Sequence, residues 1–274
     1  MKVIVITGSH PRNLGILHKL YQNNKIEITG FIMFEREEII PKPDNNLDEK
    51  IKKLWDIHFK KRHKSEKKYY DFDLDFIKNL KNKKIINDKK DLNGLDVLNF
   101  IKSTNADACF IQGCPIIEDT ILSALPTYSI NLHLGLIPYY KGSITAFWPF
   151  YFLEPGMLGT TYHIIDKHVD TGEIIHQNVP TLDYGDSMHD ASCKALLSAL
   201  SDIDLVVNEI INRQKNNIKI NKDLTLKNRG KLFKKSDWQP QMLIKIYSEY
   251  KDNIVDLFLN GKIKSETPDL IKIR

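Results

Sequence analysis

The chain has 274 residues, of which 42% are hydrophobic, so it is long enough for a substantial core and lacks the composition of a disordered protein. The apolar start, Met1 to Gly8, is too short for a secretory signal, and no later run reaches the length of a membrane-spanning helix. The three cysteines are too few for a secreted disulfide framework. We therefore expect a globular protein of the cytoplasm without a membrane partner.

The predicted elements alternate between strands and helices along the chain. Apolar runs at 2–7 and 26–34 predict strands, and a turn and a helix at 14–21 lie between them, which is typical of a parallel sheet. Further strands are predicted at 85–86, 108–111, 129–133, 160–165, 172–179 and 218–220. Further helices are predicted at 50–68, 92–102, 118–124, 143–153, 187–211 and 241–259. This order predicts an α/β domain at 1–185 and a small α+β subdomain at 186–274.

The formal net charge of +5 is most visible between Lys50 and Lys68, where basic residues alternate with Trp55 and Phe59. Such a patch is able to steer phosphate groups. An amphipathic surface helix with a solvated basic face explains the same pattern, and we favour that interpretation. Residues 40–70 receive no further role from the sequence.

Asn131, His133 and Asp170 lie at the end of one predicted strand and in the loop between the next two. An amide donates to a developing oxyanion, an imidazole transfers a proton, and a carboxylate fixes the imidazole's tautomer. Each residue alone is more typical of an ordinary core or turn position. Together they predict acyl transfer without a metal or a covalent intermediate.

The segment from Ile130 to Gly142 resembles the signature of the folate-dependent formyltransferases, which typically reads N-L-H-P-S-L-L-P-x-Y-R-G. The stretch from Gly159 to Gln177 resembles the second signature of that family. Leu134 and Gly135 replace the usual Pro-Ser, and Lys141 replaces the usual Arg. Neither change affects a catalytic position, but both lie in a loop that borders the amine-binding side.

The resemblance implies a Rossmann-like, mostly parallel sheet and transfer of a formyl group from N10-formyltetrahydrofolate to a primary amine, with no metal. Asn131, His133 and Asp170 match the family's catalytic residues. The residues implied to bind the folate lie in two loops: Gln112, Gly113, Cys114, Pro115, Asp166 and His168. The residues implied to bind the amine substrate lie in the first turn and after the histidine: Gly8, Ser9, His10, Arg12, Asn13 and Lys141.

Other interpretations of these residues are less favoured. One of them is a metal site formed by histidines and aspartates. The alternation of side chains along a strand places these residues on different faces, so they do not form a compact set of three ligands. The candidates are His163, His168, His176 and His189, with Asp166 and Asp170. Ser143 lacks the G-x-S-x-G turn of a hydrolase and is more typical of a helix N-cap. The first turn has neither a dinucleotide nor a Walker pattern and serves equally well as a purely structural turn. The aromatic run 147–152 is more typical of a core than of a substrate shelf.

Known members of this family formylate glycinamide ribonucleotide, methionyl-tRNA or nucleotide-linked amino sugars, and a related hydrolase releases formate. Residues 186–274 extend past a minimal catalytic domain and are too short and irregular for the barrel of the methionyl-tRNA enzymes, while the hydrolase's N-terminal regulatory domain has no counterpart. By elimination we expect a dTDP- or UDP-linked amino-deoxy sugar as acceptor, for lipopolysaccharide or O-antigen synthesis, and a homodimer. A methionyl-tRNA formyltransferase-like enzyme and a non-enzymatic tRNA-binding protein stay open; otherwise nucleic acid is not an expected partner.

Overall fold

The computed structural model describes residues 1–221 and 230–273 and is built on a seven-stranded sheet. Its strands are β1 (Lys2–Gly8), β2 (Glu27–Phe34), β3 (Lys83–Ile86), β4 (Ala108–Gln112), β5 (Tyr128–His133), β7 (Thr160–Ile164) and β8 (Ile174–Asn178), and they lie in the order β3-β2-β1-β4-β5-β7-β8. All pairs from β3 to β5 are parallel, whereas β7 is antiparallel to both β5 and β8. A second sheet pairs β6 (Tyr140–Gly142) in parallel with β9 (Lys231–Phe233).

The helices of the described residues surround this sheet. They are α1 (Pro11–Gln22), α2 (Glu49–Tyr69), α3 (Lys89–Leu92), α4 (Leu95–Ser103), α5 (Asp119–Leu122), α6 (Trp148–Tyr151), α7 (Met188–Ser201), α8 (Ile203–Lys215) and α9 (Ile254–Leu259). Side-chain caps begin two of the longer helices: Asp48 accepts from the Lys50 amide before α2, and Ser187 forms a capping box with Asp190 before α7. The predicted α/β fold with a mostly parallel, Rossmann-like sheet is confirmed.

Both faces of the sheet are buried, which explains the continuous apolar run of β1. Val3 and Val5 face the cluster that includes α1, α7 and α8, whereas Ile4 and Ile6 face the cluster on the side of α4 and α5. Strands that are covered on both faces carry apolar residues at every position rather than at alternate ones. Among residues 1–221 and 230–273, no helix has both the length and the apolar composition needed to cross a membrane.

A third hydrophobic cluster joins α2 to α6, β9 and α9. Ile51 and Leu54 form part of the buried face of α2, while Lys60 and Lys64 lie on its exposed face. The prediction of an amphipathic helix at 50–68 is therefore confirmed, with Lys60 and Lys64 on its solvated basic face. The aromatic run is mainly core, as expected: Trp148 is 2% exposed, although Phe152 is 41% exposed.

Three local predictions are wrong. The helix predicted at 143–153 is limited to α6 because Ile144 and Leu153 have positive φ angles, so Ser143 caps no helix. Residues 218–220 form no strand. The helix predicted at 241–259 is divided by a π-helical turn, Ile244–Glu249, and by positive φ angles at Lys251 and Asp252. Such angles interrupt a right-handed helix.

The domain boundary near 185 stays a prediction that unfolding measurements test. Leu200 on α7 is 1% exposed in the cluster beneath the sheet, whereas Leu205 on α8 is 46% exposed. We expect Leu200→Ala to lower the free energy of unfolding by about 2–5 kcal/mol and Leu205→Ala by less than about 0.5 kcal/mol. Urea unfolding followed by circular dichroism measures both. Two separate transitions would support independent folding of 186–274, and one cooperative transition would contradict it.

Two buried histidines link α2 to α7 and the C-terminal part. The rings of His58 and His189 lie 4.6 Å apart, and the Tyr247 hydroxyl lies 2.9 Å from His58 Nδ1 and 3.1 Å from His189 Nε2. Burial, and then the charge of Arg62, lowers the pKa of His58 to about 3. Burial, and then His58, lowers the pKa of His189 well below its ordinary value. Both histidines are therefore neutral in the folded protein near neutral pH.

These two pKa shifts predict acid sensitivity. Below about pH 6.5 the unfolded chain binds protons at both positions and the folded chain does not, so the free energy of unfolding falls as the pH drops from about 6.5 towards 4. The slope is at most about 1.4 kcal/mol per pH unit for each histidine. We expect His58→Gln to reduce the slope in urea unfolding measured between pH 7 and pH 4. The matched variant His63→Gln, on the partly exposed side of α2, should retain the full slope.

Candidate active site

The predicted catalytic residues lie where the sheet changes from parallel to antiparallel pairing. In the register of β5 with β7, Asn131 is opposite His163 and His133 is opposite Thr161. Asp170 lies in the connection from β7 to β8, has a φ of +52° and is 8% exposed. Because β7 runs antiparallel to β5, the connection from β7 to β8 brings the Asp170 carboxylate close to the end of β5.

Four side chains form one chain of contacts at this point. His133 Nδ1 lies 3.3 Å from Asp170 Oδ2, and His163 Nε2 lies 3.4 Å from Asp170 Oδ1. The Asn131 amide nitrogen lies 3.1 Å from His163 Nε2. The structure thus brings the three predicted catalytic residues together and adds His163, which is 2% exposed, between Asn131 and Asp170.

Two backbone groups of β6 complete the surroundings of this group. The Gly142 amide donates to Asp170 Oδ2 at 2.7 Å. The Tyr140 carbonyl oxygen lies 2.8 Å from His133 Nε2 and, because a carbonyl only accepts, His133 is the donor there. Both ring nitrogens of His133 consequently face acceptors, Nδ1 the Asp170 carboxylate and Nε2 the Tyr140 carbonyl oxygen.

Opposing influences act on the Asp170 carboxyl. Burial raises the pKa of Asp170, but His133, His163 and the hydrogen bond from the Gly142 amide outweigh it and hold the pKa well below its ordinary value. The carboxyl is therefore ionised throughout the physiological pH range. It is an acceptor that orients the two imidazoles.

The first turn adjoins the loop that follows β4. The Asn13 side chain lies beside Gly8, where an added Cβ would be 2.5 Å from Asn13 Nδ2, and beside Gly113, which has a φ of +66°. Gln112 Nε2 donates to the Arg12 carbonyl oxygen at 3.0 Å. The turn expected to bind the amine substrate and the loop expected to bind the folate are consequently in direct contact.

Arginine side chains gather beside the first turn. Arg12 Nη1 donates to Glu66 Oε1 at 2.5 Å, and its Nη2 lies 2.6 Å from His10 Nδ1. Burial, and then the charge of Arg12, lowers the pKa of Arg62 to about 10, and the same two causes lower the pKa of His10. The charge of Arg36 also lowers the pKa of Arg62. Arg12 forms an ion pair with Glu66 and Arg36 with Glu37, so the three arginines leave one net positive charge, which is suited to an anionic ligand.

The remaining predicted residues occupy the edges of the same region. The Ser9 hydroxyl oxygen accepts from the Arg36 amide at 2.9 Å. Lys141 is buried on β6, and Cys114 and Pro115 continue the loop after β4. Asp166 Oδ1 accepts from the amide of His168 and from the hydroxyl of Thr171, both at 2.8 Å, so it shapes the loop before Asp170, while the His168 side chain is exposed.

The histidines considered for a metal site separate into different surroundings. His163 lies in the group around Asp170, His176 Nε2 is 3.0 Å from Asp202 Oδ2, and His189 packs on His58. In the described part of the chain, no group of three or more His, Cys, Asp or Glu side chains is arranged to hold a metal ion.

The sequence profile of formyl transferases matches residues 1–197. The chain belongs to the formyl transferase family. It is an enzyme of folate-dependent formyl transfer, with N10-formyltetrahydrofolate as its formyl donor, so the resemblance inferred from the two signatures is confirmed.

Solved structures show the same fold at low identity. Phosphoribosylglycinamide formyltransferase from Anaplasma phagocytophilum has a TM-score of 0.55 and 17% identity over 86% of this chain and 98% of its own. A sugar N-formyltransferase from a Shewanella species also has a TM-score of 0.55, with 13% identity over 86% of this chain and 78% of its own. The formyltransferase PseJ from Anoxybacillus kamchatkensis has a TM-score of 0.50 and 17% identity over 98% and 100%.

Residues that the sequence did not assign to catalysis or to substrate binding fall into two groups. His163 lies in the second signature, but its place opposite Asn131 depends on the register of two strands that are separate in the sequence. Arg36 follows β2, and Arg62 lies within α2. Only the folded chain brings them close to Arg12. A polar residue paired across a strand from a predicted catalytic residue is the signal that was available for His163.

Removal of each predicted catalytic group is expected to lower turnover strongly. We expect Asn131→Ala, His133→Ala and Asp170→Ala each to reduce kcat by about 10²-fold or more, because each removes an oxyanion donor, a proton-transfer group or the acceptor that orients it. A steady-state assay with formyl donor and acceptor measures this, and circular dichroism confirms folding. The exposed change Asp75→Asn should leave kcat unchanged. A near-normal kcat for His133→Ala would refute these roles.

Proposed function

We propose that this enzyme transfers the formyl group of N10-formyltetrahydrofolate to the primary amine of a dTDP- or UDP-linked amino-deoxy sugar. The contact group of Asn131, His163, Asp170 and His133, next to a turn crowded with arginines, is the observation that carries the proposal. It supplies acyl-transfer chemistry on one side and anion recognition on the other.

In the proposed reaction the neutral amine attacks the formyl carbon, the bond from that carbon to N10 breaks, and the amine's proton passes to the departing nitrogen. Negative charge grows on the formyl oxygen during the attack. The Asn131 amide and a protonated His133 are assigned to that oxygen, each such donor being worth about 3 kcal/mol of barrier. In this assignment His133 shares its Nε2 proton between the Tyr140 carbonyl oxygen and the formyl oxygen. Asp170 holds His133 in place and helps a water molecule to carry the proton.

The folate is assigned to the loops that flank this group. The side-chain oxygen of Gln112 is buried and has no hydrogen-bond donor among residues 1–221 and 230–273. A buried acceptor without a donor is costly, which supports a donor that the pterin supplies. Gly113, Cys114 and Pro115 follow with backbone groups, and the loop from Asp166 to His168 forms the opposite wall of the proposed folate site.

The nucleotide end of the acceptor is assigned to the first turn. Gly8, Ser9 and Asn13 offer close approach of the backbone and small polar groups, and His10 and Arg12 add charge and donors to the same turn. Lys141, which is buried on β6 in the segment that departs from the family signature, is also assigned to the acceptor. The net positive charge of the arginines supports an acceptor that carries phosphate groups rather than an uncharged acceptor.

The extent of the match with one solved structure supports a sugar nucleotide as acceptor. PseJ, whose structure was solved with UDP-4,6-dideoxy-4-formamido-L-AltNAc and tetrahydrofolate, aligns over 98% of this chain and all of its own. WlaRD, a sugar 3N-formyl transferase solved with dTDP, aligns over 87% of this chain at 21% identity and a TM-score of 0.52. The glycinamide ribonucleotide enzyme from Anaplasma phagocytophilum aligns over 86% of this chain and 98% of its own, so coverage of this chain separates it from PseJ and not from WlaRD.

The biological setting forms part of the same proposal. A formamido sugar linked to a nucleotide is a precursor for surface polysaccharide such as lipopolysaccharide O-antigen, and folate and nucleotide sugars are both available in the cytoplasm. The three free cysteines, Cys109, Cys114 and Cys193, agree with a reducing compartment. A two-fold homodimer is the expected assembly because that symmetry is the commonest among soluble oligomers.

A panel of acceptors tests the proposal. We expect incubation with N10-formyltetrahydrofolate to add one formyl group to at least one dTDP- or UDP-linked 3-amino or 4-amino sugar, detected by mass spectrometry. The His133→Ala variant serves as the inactive control. Formylation of glycinamide ribonucleotide or methionyl-tRNA alone would overturn the sugar assignment, and salt-dependent tRNA retention without any formylation would favour the tRNA-binding alternative.

A further inference from the structure

A short backbone segment contacts both members of the His133–Asp170 pair. The carbonyl oxygen of Tyr140 accepts from His133 Nε2 at 2.8 Å, and the amide of Gly142 donates to Asp170 Oδ2 at 2.7 Å. Only Lys141 separates these two residues. We refer to the Tyr140 carbonyl and the Gly142 amide as the backbone clamp.

The clamp is held from outside by β9. In the parallel pairing of β6 with β9, Tyr140 is opposite Lys231 and Gly142 is opposite Phe233. The Ser143 amide donates to the Phe233 carbonyl oxygen at 2.8 Å, and the Lys231 amide donates to the Tyr139 carbonyl oxygen at 3.2 Å. β9 therefore forms hydrogen bonds with the residues on both sides of the clamp.

Aromatic packing anchors β9 beneath the clamp. The Phe233 side chain is 2% exposed and stacks on Tyr140 at a centroid distance of 5.8 Å and on Trp148 at 4.6 Å. The Tyr140 hydroxyl donates to the Glu154 carboxylate. These contacts fix the position of the Tyr140 backbone as well as its side chain.

Glycines make the close approach of these segments feasible. Gly142 has a φ of +92°, and an added Cβ would overlap the Phe233 carbonyl oxygen. Gly230 has a φ of +69°, and an added Cβ would overlap the Pro138 carbonyl oxygen. An added Cβ at Gly135 would lie 2.7 Å from His133 Nε2 and 2.6 Å from the Tyr140 carbonyl oxygen. Larger residues at any of the three positions would force the segments apart.

We infer that β9 is a positioning element for catalysis, because it holds the backbone clamp that fixes the orientation of the His133 imidazole against Asp170. The inference rests on the proposed roles of these two residues in formyl transfer. Residues Lys231–Phe233 lie beyond the part of the chain that matches the formyl transferase profile, residues 1–197. In this inference β9 contributes to the reaction through its backbone pairing with β6.

The inference predicts that displacement of β9 impairs catalysis more than it impairs folding. In Gly230→Ala the added methyl group pushes β9 away from Pro138, which loosens the clamp. We expect kcat to fall at least tenfold with little change in the KM for the formyl donor, because small misplacements of a reacting group are costly. Gly185→Ala and Gly261→Ala are the matched controls: both glycines have positive φ, +83° and +72°, but an added Cβ at either has no neighbour within 4 Å.

A direct readout of the clamp comes from ¹⁵N NMR of the His133 ring, assigned by its loss in His133→Ala. In the unsubstituted protein we expect a slowly exchanging proton on Nε2, since that atom donates to Tyr140 and the residue is 6% exposed. Gly230→Ala should lose this signal, and both controls should keep it with normal kcat. A native His133 signal together with a native kcat in Gly230→Ala would overturn the inference.

Amide hydrogen exchange on the unsubstituted protein keeps the test decisive if Gly230→Ala does not fold. The Gly142 and Ser143 amides should exchange at the same slow rate as the amides of β9, because one opening event exposes them all. Rapid exchange of Gly142 would contradict the role of β9. Neither the ¹⁵N NMR measurement nor the amide hydrogen exchange requires an acceptor. A failure of the sugar panel and a failure of this inference are therefore distinguishable.

Discussion

The Asp170 carboxylate is the interaction on which the active site depends. A buried negative charge is tolerated only where partners replace the water it has lost. Here the partners come from three elements: His133 from β5, His163 from β7 and the Gly142 amide from β6. Satisfying one carboxylate therefore fixes three segments that are far apart in the sequence, and it places both imidazoles before any substrate binds.

The change from parallel to antiparallel pairing makes this arrangement feasible. The parallel strands β1, β4 and β5 end at the same edge of the sheet, where their following loops meet. Because β7 runs in the opposite direction to β5, His163 lies opposite Asn131, and the connection to β8 brings Asp170 back to the same edge. The positive φ of Asp170 suits a residue type that tolerates the left-handed region.

The sequence was sufficient for features that depend on neighbouring residues. Continuous apolar runs identified the seven strands of the main sheet, and the two signatures around Asn131, His133 and Asp170 identified the family. Features that depend on long-range pairing were not accessible in this way. His163 needs the β5–β7 register, and the Arg12–Glu66 ion pair spans 54 positions. The helix predicted from the apolar pattern at 143–153 is shortened because packing of Ser143 on β9 leaves Ile144 with a φ of +59°.

The departure from the family signature at Gly135 acquires a physical meaning from this geometry. From the sequence, the replacement of serine by glycine concerned only the amine-binding side of the loop. In the structure, the missing side chain leaves the space in which His133 approaches the Tyr140 carbonyl, since a Cβ at that position would lie within 2.7 Å of both partners. The substitution is therefore coupled to how the imidazole is held.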